Sequence, residues 1–307
     1  MNYFKYILHN PKNLHLLHLR RRFVLTFAQC YSDRKFLEAL FPLRVGYKLN
    51  LDNPRTFNEK LQWLKLYDRR PEYTQMVDKY EAKKYVASII GEEYIIPTLA
   101  VYDRAEDIDF DVLPNQFVLK CTHDSGGIVI CKDKAKLDRE TAIKKLEHGL
   151  KVNYFYQNRE WAYKNVKPRI IAEQYMTDNG EDLEDYKIHN FNGTPRVILL
   201  CRDRYKKSGL TEDFYSCEWE HLDISRPDHG NVCVTVSRPP ELDEMLRLSE
   251  ILAKDIPFLR TDFYIIDHKV YFGEITFFPA SGMKSFVPKE WDYTLGSWIN
   301  LPSKAVL

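Results

Sequence analysis

Residues 258–282 read FLRTDFYIIDHKVYFGEITFFPASG, and they are the most informative stretch of this chain. Two apolar, aromatic-rich segments predict two strands, and the polar residues 267–269 between them predict a turn. A hairpin of this length brings Asp262 on the first strand close to Glu274 on the second. Arg260 precedes Asp262 by two residues and therefore lies on the same face of its strand. Two carboxylates this close repel each other unless a cation lies between them, so the hairpin predicts a site for Mg²⁺ and phosphate.

The composition describes a folded protein without an extreme charge. A chain of 307 residues can form one large or two moderate domains with a substantial core. The net charge of +1 argues against a general nucleic-acid-binding protein, which is normally strongly basic. The six cysteines are scattered without a CxxC pair, a pattern typical of reduced thiols in the cytoplasm. No apolar run approaches the roughly 20 residues that span a bilayer. We therefore expect a cytoplasmic protein with no nucleic-acid partner.

Residues 1–32 differ from the rest of the chain in charge. They contain five basic residues and no acidic residue, and leucines and aromatic residues are interleaved with them. Such a segment can form an amphipathic helix on an anionic membrane, which would give peripheral contact at the inner face of the membrane. The alternative is a helix that packs on the domain and exposes a basic edge to solvent.

Helices and antiparallel hairpins are mixed along the chain. Thr56 and Glu59 have the spacing of a capping box at the start of a helix. Further helices are predicted at 74–90, 138–151, 241–254 and 289–300, and strands at 117–119, 128–131, 169–176, 184–191 and 195–202. Asn192-Gly193 predicts a tight turn between the last two strands, and residues 203–240 are expected to be irregular. Because no βαβ alternation is present, the predicted class is α+β.

Lys120 and the loop that follows it form a candidate phosphate contact. The lysine ends a predicted strand just before Ser125, Gly126 and Gly127. Glycines let backbone N–H groups approach phosphate oxygens, and a lysine adds a point charge. The spacing is not the Walker pattern GxxxxGK[ST], and most Gly-Gly loops beside a lysine are plain turns.

Other charged residues are ambiguous when taken singly. Lys79 and Lys83 are four residues apart and share a helix face, as the lysines of a solvated face also would. Glu173 lies in an otherwise apolar strand and is costly to bury without a partner. Lys187 follows Asp185 at strand spacing, which a surface ion pair would equally explain.

The order of these features is more specific than any one of them. The chain resembles the ATP-grasp superfamily, and most closely the TupA-like ATP-grasp family found in bacterial capsule and teichuronopeptide synthesis gene clusters. The resemblance runs from about residue 45 to 300. It is carried by NPRTFNEKLQWLKLYD (53–68), DKYEAKKYV (78–86), FVLKCTHDSGG (117–127), NREWAYKNVKPRIIAEQYM (158–176), DYKIHNFNG (185–193) and the hairpin (260–282).

The resemblance implies an ATP-grasp fold, in which two α+β subdomains clamp ATP. The expected organisation is a helical N-terminal region at 1–75 and an ATP-grasp domain at 76–307. Within that domain we expect a nucleotide-lid subdomain at about 92–172 and a metal-binding core subdomain at about 173–307.

The resemblance also implies roles in binding ATP. The residues that would contact phosphates are Lys79, Lys120 and Lys187, with Ser125, Gly126 and Gly127 folding over them. The strand that would meet adenine contains Glu173, Gln174 and Met176, and the acid that would hold the ribose is Glu181 or Asp182.

The hairpin residues receive the metal and transfer roles by the same resemblance. Asp262 and Glu274 would bind Mg²⁺, with Thr276 as a further ligand where many ATP-grasp enzymes have asparagine. Arg260 would stabilise the transferred phosphoryl group. The predicted catalytic residues are therefore Arg260, Lys120 and Lys187.

The implied reaction joins a carboxylate to an amine through an acyl phosphate, at the expense of ATP. For this family the implied partners are a uronic-acid sugar or glycan precursor and an amino acid, and the aromatic segment 153–165 offers Arg159 and Tyr163 as substrate contacts. The alternatives are an ATP-grasp kinase acting on a sugar, and a glycosyltransferase of capsule or O-antigen synthesis. The DxD-like acids at 107–111 give weak support to the latter, since they are more simply read as a solvated loop.

Overall fold

The computed structural model describes residues 19, 21–124, 126–178, 183–203, 209–227 and 236–303. Within these ranges the chain forms helices and two antiparallel sheets, which confirms the predicted α+β class. Several predicted features lie outside the described residues, namely Ser125, Asn179-Gly180, Glu181, Asp182 and most of the segment 1–32.

The helices and strands follow one another in mixed order. The helices are α1 (Asp33–Val45), α2 (Phe57–Tyr67), α3 (Glu72–Val77), α4 (Glu81–Ile90), α5 (Arg139–Leu150), α6 (Phe155–Asn158), α7 (Leu242–Leu252) and α8 (Glu290–Trp298). The strands are β1 (Thr98–Tyr102), β2 (Phe117–Cys121), β3 (Ile128–Cys131), β4 (Ile170–Gln174), β5 (Asp185–Phe191), β6 (Thr194–Arg202), β7 (Thr211–Tyr215), β8 (Phe258–Ile266) and β9 (Lys269–Thr276).

The first sheet has four strands in the order β1-β4-β2-β3. Alternate side chains of β2 (Phe117, Leu119 and Cys121) are buried in a small core under α5, which also contains Leu146. Because side chains alternate along a strand, Val118 and Lys120 lie on the opposite face. That face lines the cleft described below.

The second sheet has five strands in the order β7-β6-β5-β8-β9. Helix α7 covers one of its faces, where the Ser249 hydroxyl contacts the Asn190 side chain at 3.0 Å and the Thr261 hydroxyl at 2.5 Å. The even-numbered residues of β5 therefore point toward α7 and into the main core. The odd-numbered residues, including Lys187, point to the other face.

The N-terminal helices support the second sheet. Helix α2 starts with the predicted capping box, in which Thr56 accepts a hydrogen bond from the backbone of Glu59 and Glu59 accepts from that of Thr56. The ring of Phe57 then packs on Phe191 and Phe258 at the end of the sheet. Burial of such aromatic side chains fixes the helix against the strands that form the site.

Two tight turns confirm predictions made from local sequence. Asn192 and Gly193 connect β5 to β6 with φ of 51° and 84°, and Asp267 and His268 connect β8 to β9 with φ of 49° and 59°. Two successive residues with positive φ are what a two-residue hairpin turn requires.

The structure corrects two predictions of secondary structure. The helix predicted at 74–90 is two helices, α3 and α4, because Asp78 is extended and its side chain accepts a hydrogen bond from the backbone of Tyr80 at 2.9 Å. The region 203–240 was predicted to be irregular, but it contains β7. This strand forms by pairing with β6, from Ile198 opposite Tyr215 to Arg202 opposite Thr211. The predicted subdomain boundaries stay a prediction, and the one at 172–173 falls within β4.

Candidate active site

The site is built on the hairpin β8–β9. Asp262 and Glu274 are directly opposed across the two strands, as are Arg260 and Thr276. Arg260 donates from Nε to Asp262 Oδ1 at 2.6 Å and from Nη2 to Glu274 Oε1 at 2.8 Å and Thr276 Oγ1 at 3.0 Å. One guanidinium thus lies between the two carboxylates and offsets their repulsion.

Lys187 adds a second cation from the neighbouring strand. It is directly opposed to Asp262 across β5 and β8 and forms a buried ion pair with it. Its Nζ also lies 3.4 Å from Asp185 Oδ2. Burial would lower the pKa of Lys187, but Asp262 and Asp185 together outweigh it and the pKa is raised. Burial would raise the pKa of Glu274, but Arg260, Lys187 and Lys79 together outweigh it and lower the pKa. The site therefore holds Glu274 ionised and Lys187 protonated.

The oxygen donors of the hairpin fit a magnesium ion. Asp262, Glu274 and Thr276 offer hard oxygen ligands at adjacent positions of one sheet face, and the Glu274 side chain is 46% exposed and so accessible to an ion. The described residues contain no cluster of three or more His, Cys, Asp or Glu side chains. Two carboxylates with a hydroxyl suit Mg²⁺, which usually takes its other ligands from phosphates and water.

A cleft of about 340 Å³ lies between the two sheets. Its apolar lining comes mainly from the first sheet and the segment after β4, with Tyr264 contributed by the second. The lining residues are Ile96, Val118, Lys120, Ile128, Ile130, Lys132, Glu173, Gln174, Tyr175, Met176, Leu183, Asp185 and Tyr264. An apolar slot of this size with a few charged groups at its edge fits a nucleotide base.

Glu173 connects the lysines of two elements inside this cleft. Lys120 Nζ lies 2.6 Å from Glu173 Oε2, and Lys83 forms an ion pair with the other oxygen. Burial alone would raise the pKa of Glu173, but Lys120 and Lys83 together outweigh it and hold the pKa at about 2. The carboxylate that sequence reasoning found costly to bury is therefore paired twice.

Lys79 lies beneath the glycine loop. Its backbone N–H donates to the Thr122 carbonyl at 3.0 Å, and its ammonium donates to the carbonyls of Cys121, at 3.2 Å, and Asp124. The break between α3 and α4 at Asp78 makes this contact possible. In the loop, Gly127 N–H donates to Asp124 Oδ2 at 3.0 Å. A Cβ on Gly127 would lie 2.5 Å from that oxygen, so a larger residue here would displace the Asp124 side chain from the loop.

The structure separates the two predicted substrate contacts. The Arg159 guanidinium is buried among the N-terminal helices, where it lies 2.9 Å from Asp33 Oδ1 and over the ring of Phe36. It is not brought to the hairpin. Tyr163 lies closer to the site: burial raises the pKa of its hydroxyl, and the nearby carboxylates of Glu160 and Glu274 raise that pKa further.

The structure adds residues that were not assigned to the site from sequence. Lys83 and Asp185 are next to predicted site residues, and their spacing of four on a helix and two on a strand was the available signal. Glu160 and Lys65 could not be found in this way, because they come from distant segments. Ser281 joins them, since its hydroxyl donates to Glu160 at 2.6 Å and its carbonyl accepts from Lys65 at 2.8 Å.

The chain is similar to several solved structures, each at low sequence identity. The chain is similar to D-alanine–D-alanine ligase from Bacillus anthracis, complexed with ATP, with 18% identity and a TM-score of 0.40 over 66% of this chain and 54% of that chain. The ligase from Helicobacter pylori has 15% identity and a TM-score of 0.39, over 73% of this chain and 61% of that chain. A RimK domain ATP-grasp protein from Sphaerobacter thermophilus has 9% identity and a TM-score of 0.42, over 76% of this chain and 70% of that chain. The chain thus spans less than two thirds of the length of these two D-alanine ligases.

A search of curated proteins finds no significant match. A sequence model described as TupA-like ATPgrasp matches residues 59–300. ATP-grasp enzymes use ATP with Mg²⁺, and the cleft, the glycine loop and the hairpin acids fit both. Because the family match covers most of the chain, the chain belongs to the TupA-like ATP-grasp family.

Proposed function

We propose that the protein is an ATP-dependent carboxylate–amine ligase that forms an amide through an acyl phosphate. The observation that carries this proposal is the position of Arg260, whose guanidinium bridges Asp262 and Glu274 at the edge of the nucleotide cleft. Acids suited to Mg²⁺ and a cation placed where charge develops are the components that phosphoryl transfer requires.

The charged side chains divide the work of the reaction. Lys79 and Lys120 hold and neutralise the phosphates beside the glycine loop, and Asp262 and Glu274 hold Mg²⁺, which supplies further charge neutralisation. Arg260 meets the charge that develops on the terminal phosphoryl group as it passes to a substrate carboxylate and ADP departs. An amine then attacks the acyl carbon, its proton is lost, and inorganic phosphate leaves.

For the substrates we propose a uronic-acid sugar or glycan precursor and an amino acid, in bacterial surface polysaccharide or capsule synthesis. The resemblance to TupA-like chains supports this choice. So does Tyr163, whose ring packs edge-on against that of Tyr154 at 4.9 Å near the hairpin acids and offers an aromatic surface for a sugar.

Product analysis tests the ligase directly. The protein is incubated with ATP, Mg²⁺, D-glucuronate and a mixture of amino acids, and nucleotide and phosphate are quantified. ADP and inorganic phosphate in equal amounts, dependent on both organic substrates, are expected. AMP as the product would reject the proposal, and ADP with a stable phosphoester but no free phosphate would identify a sugar kinase.

The glycosyltransferase alternative has little structural support. The acids Asp107, Asp109 and Asp111 are exposed, and Asp111 forms a surface ion pair with Arg139 at 3.0 Å. These acids adjoin the small core of the first sheet rather than the hairpin. Binding of a sugar nucleotide in place of ATP would favour this alternative.

We also propose a cytoplasmic location with peripheral contact at the inner face of the membrane. Leu19, Phe23 and Phe27 are exposed at helical spacing, and Arg21 and Arg22 adjoin them. In the described part of the chain, no helix has the length and apolarity needed to cross a bilayer. Co-sedimentation with phosphatidylglycerol vesicles, lost in the F23S/F27S variant and absent with phosphatidylcholine, would support the contact. Equal sedimentation of both proteins would refute it.

A further inference from the structure

The sheet face that carries the hairpin acids continues across β5, β6 and β7. Asp262, Lys187, Leu199 and Phe214 are successive partners across β8, β5, β6 and β7. Directly opposed residues of antiparallel strands point to the same face. Phe214 therefore lies on the same surface as the reaction centre, three strand spacings or roughly 14 Å from Asp262.

Arg226 lies over the far end of this surface. Its guanidinium carbon is 5.8 Å from the centre of the Phe214 ring. The backbone beside it is fixed, because Ser225 and Val287 exchange N–H···O bonds of 2.8 and 2.9 Å. The arginine is therefore a positioned group rather than a mobile surface side chain.

The guanidinium of Arg226 is buried without adequate partners. The residue is only 7% exposed, yet within the described part of the chain its one ion pair is Nη1 to Glu212 Oε1 at 3.5 Å. Its Nε has no hydrogen-bond partner within the described ranges. By contrast, Arg260 makes several bonds shorter than 3.1 Å. A buried, poorly paired guanidinium costs stability, and this cost is understandable if an anionic ligand completes its hydrogen bonds.

The surroundings of Arg226 suit an anion. The buried side chains of Leu199 and Phe214 lie on the sheet between the arginine and Lys187, and His189 lies on the same face opposite Arg260. Burial lowers the pKa of His189, and Arg260 and Arg226 lower it further, so the imidazole is a neutral hydrogen-bonding group. No acid other than Glu212 forms an ion pair with Arg226 among the described residues.

We propose that Arg226 is the anchor of an anion subsite on the hairpin face of the second sheet, which binds a carboxylate of the substrate. The planar fork of arginine matches a carboxylate with two parallel hydrogen bonds. The assignment to a substrate rests on the proposed ligase function, whereas binding of a carboxylate at Arg226 can be measured independently.

Anion-dependent thermal stability tests the subsite without turnover. Unfolding temperatures of the full chain are measured in sodium acetate and in sodium chloride at matched ionic strength. The wild type should gain a saturable increase of several degrees in acetate, because the ligand binds only the folded state. Arg226→Met should lose that increase, and Arg226→Lys, which keeps the charge but not the fork, should weaken acetate binding about tenfold. Arg196→Met, which removes an exposed arginine of β6, is the control and should behave like the wild type.

The result distinguishes this proposal from the ligase proposal. The subsite would be overturned if the wild type showed no saturable increase of the unfolding temperature in acetate. It would also be overturned if Arg226→Met and Arg226→Lys both kept an increase as large as that of the wild type. Calorimetry of Mg²⁺-ADP binding is run on the same proteins and should give equal affinities. A wild type that binds acetate through Arg226 but gives no heat with Mg²⁺-ADP would leave the subsite standing and reject the ligase.

Discussion

Lys187 and Asp262 form a buried ion pair across β5 and β8, although 75 positions separate them in the chain. The local partner suggested by sequence spacing, Asp185, is the more distant of the two acids at 3.4 Å. The pair places a lysine beside the arginine that bridges the hairpin carboxylates. Two cations thus hold the carboxylates of Asp262 and Glu274 in place on one sheet face.

Replacing Lys187 with methionine should lower the free energy of unfolding by about 3 kcal/mol, because it leaves the buried Asp262 carboxylate with Arg260 alone. Urea unfolding followed by circular dichroism measures the change. The exposed pair Arg104–Glu106 supplies a matched control, since Arg104→Met should leave the urea midpoint unchanged. Equal effects of the two variants would show that the Lys187 pair is not buried as described.

Glu274→Gln and Arg260→Ala should each reduce turnover about 10³-fold or more while leaving the fold intact. The first change weakens the metal ligand, and the second removes the donor at the developing phosphoryl charge. Steady-state ADP release measures turnover, and circular dichroism checks the fold. Near-normal activity of either variant would show that the hairpin is not the reaction centre.

The glycine loop offers a test based on space. Gly127→Ala places a Cβ 2.5 Å from Asp124 Oδ2 and 2.9 Å from Cys121 Sγ, so the Asp124 side chain that binds the Gly127 N–H must move. We expect KM for ATP to rise about tenfold or more with a smaller change in stability. In Gly126→Ala the new Cβ meets no atom within 4 Å, although φ is +132°. That variant should therefore show backbone strain as lower stability. A normal KM for ATP in Gly127→Ala would contradict the proposed role of the loop.

Glu173 predicts a specific dependence of stability on pH. Its pKa is about 2 in the folded protein against 4.5 for an ordinary glutamate, so between these values the unfolded chain binds more protons. The stabilisation, about 3 kcal/mol, is fully present above pH 4.5 and is lost as the pH falls toward 2.

Urea midpoints measured across this pH range check the prediction. In Glu173→Gln the acid-dependent loss should be smaller by that amount, although overall stability also falls because Lys83 and Lys120 lose their partner. The exposed Glu140 is the control, since Glu140→Gln should keep the wild-type pH profile. An unchanged profile in Glu173→Gln would mean that the carboxylate is not held ionised by the two lysines.

Much of the site was accessible from sequence because its central element is local. Asp262, Glu274 and Arg260 belong to one hairpin, whose polar turn is local. The register shift between Asp262 and Phe263, which skips Gly273 and brings Glu274 opposite Asp262, was not predicted. Lys83 and Asp185 were missed as site residues although their spacing from predicted residues was visible. Arg159 shows the opposite error, since its aromatic neighbours suggested a sugar site while its side chain packs on α1.

The sequence by itself determined the features that depend on neighbours within a few residues: the hairpin turns, the capping box of α2 and the order of charged motifs. Only the tertiary structure decided that α3 and α4 separate at Asp78, that β7 joins the second sheet, and that Lys83 and Lys120 share Glu173. The physical reason is the distance along the chain over which each interaction acts. Turn and capping preferences act through local backbone geometry, whereas the partner of a buried charge is set by strand register and by packing between distant segments.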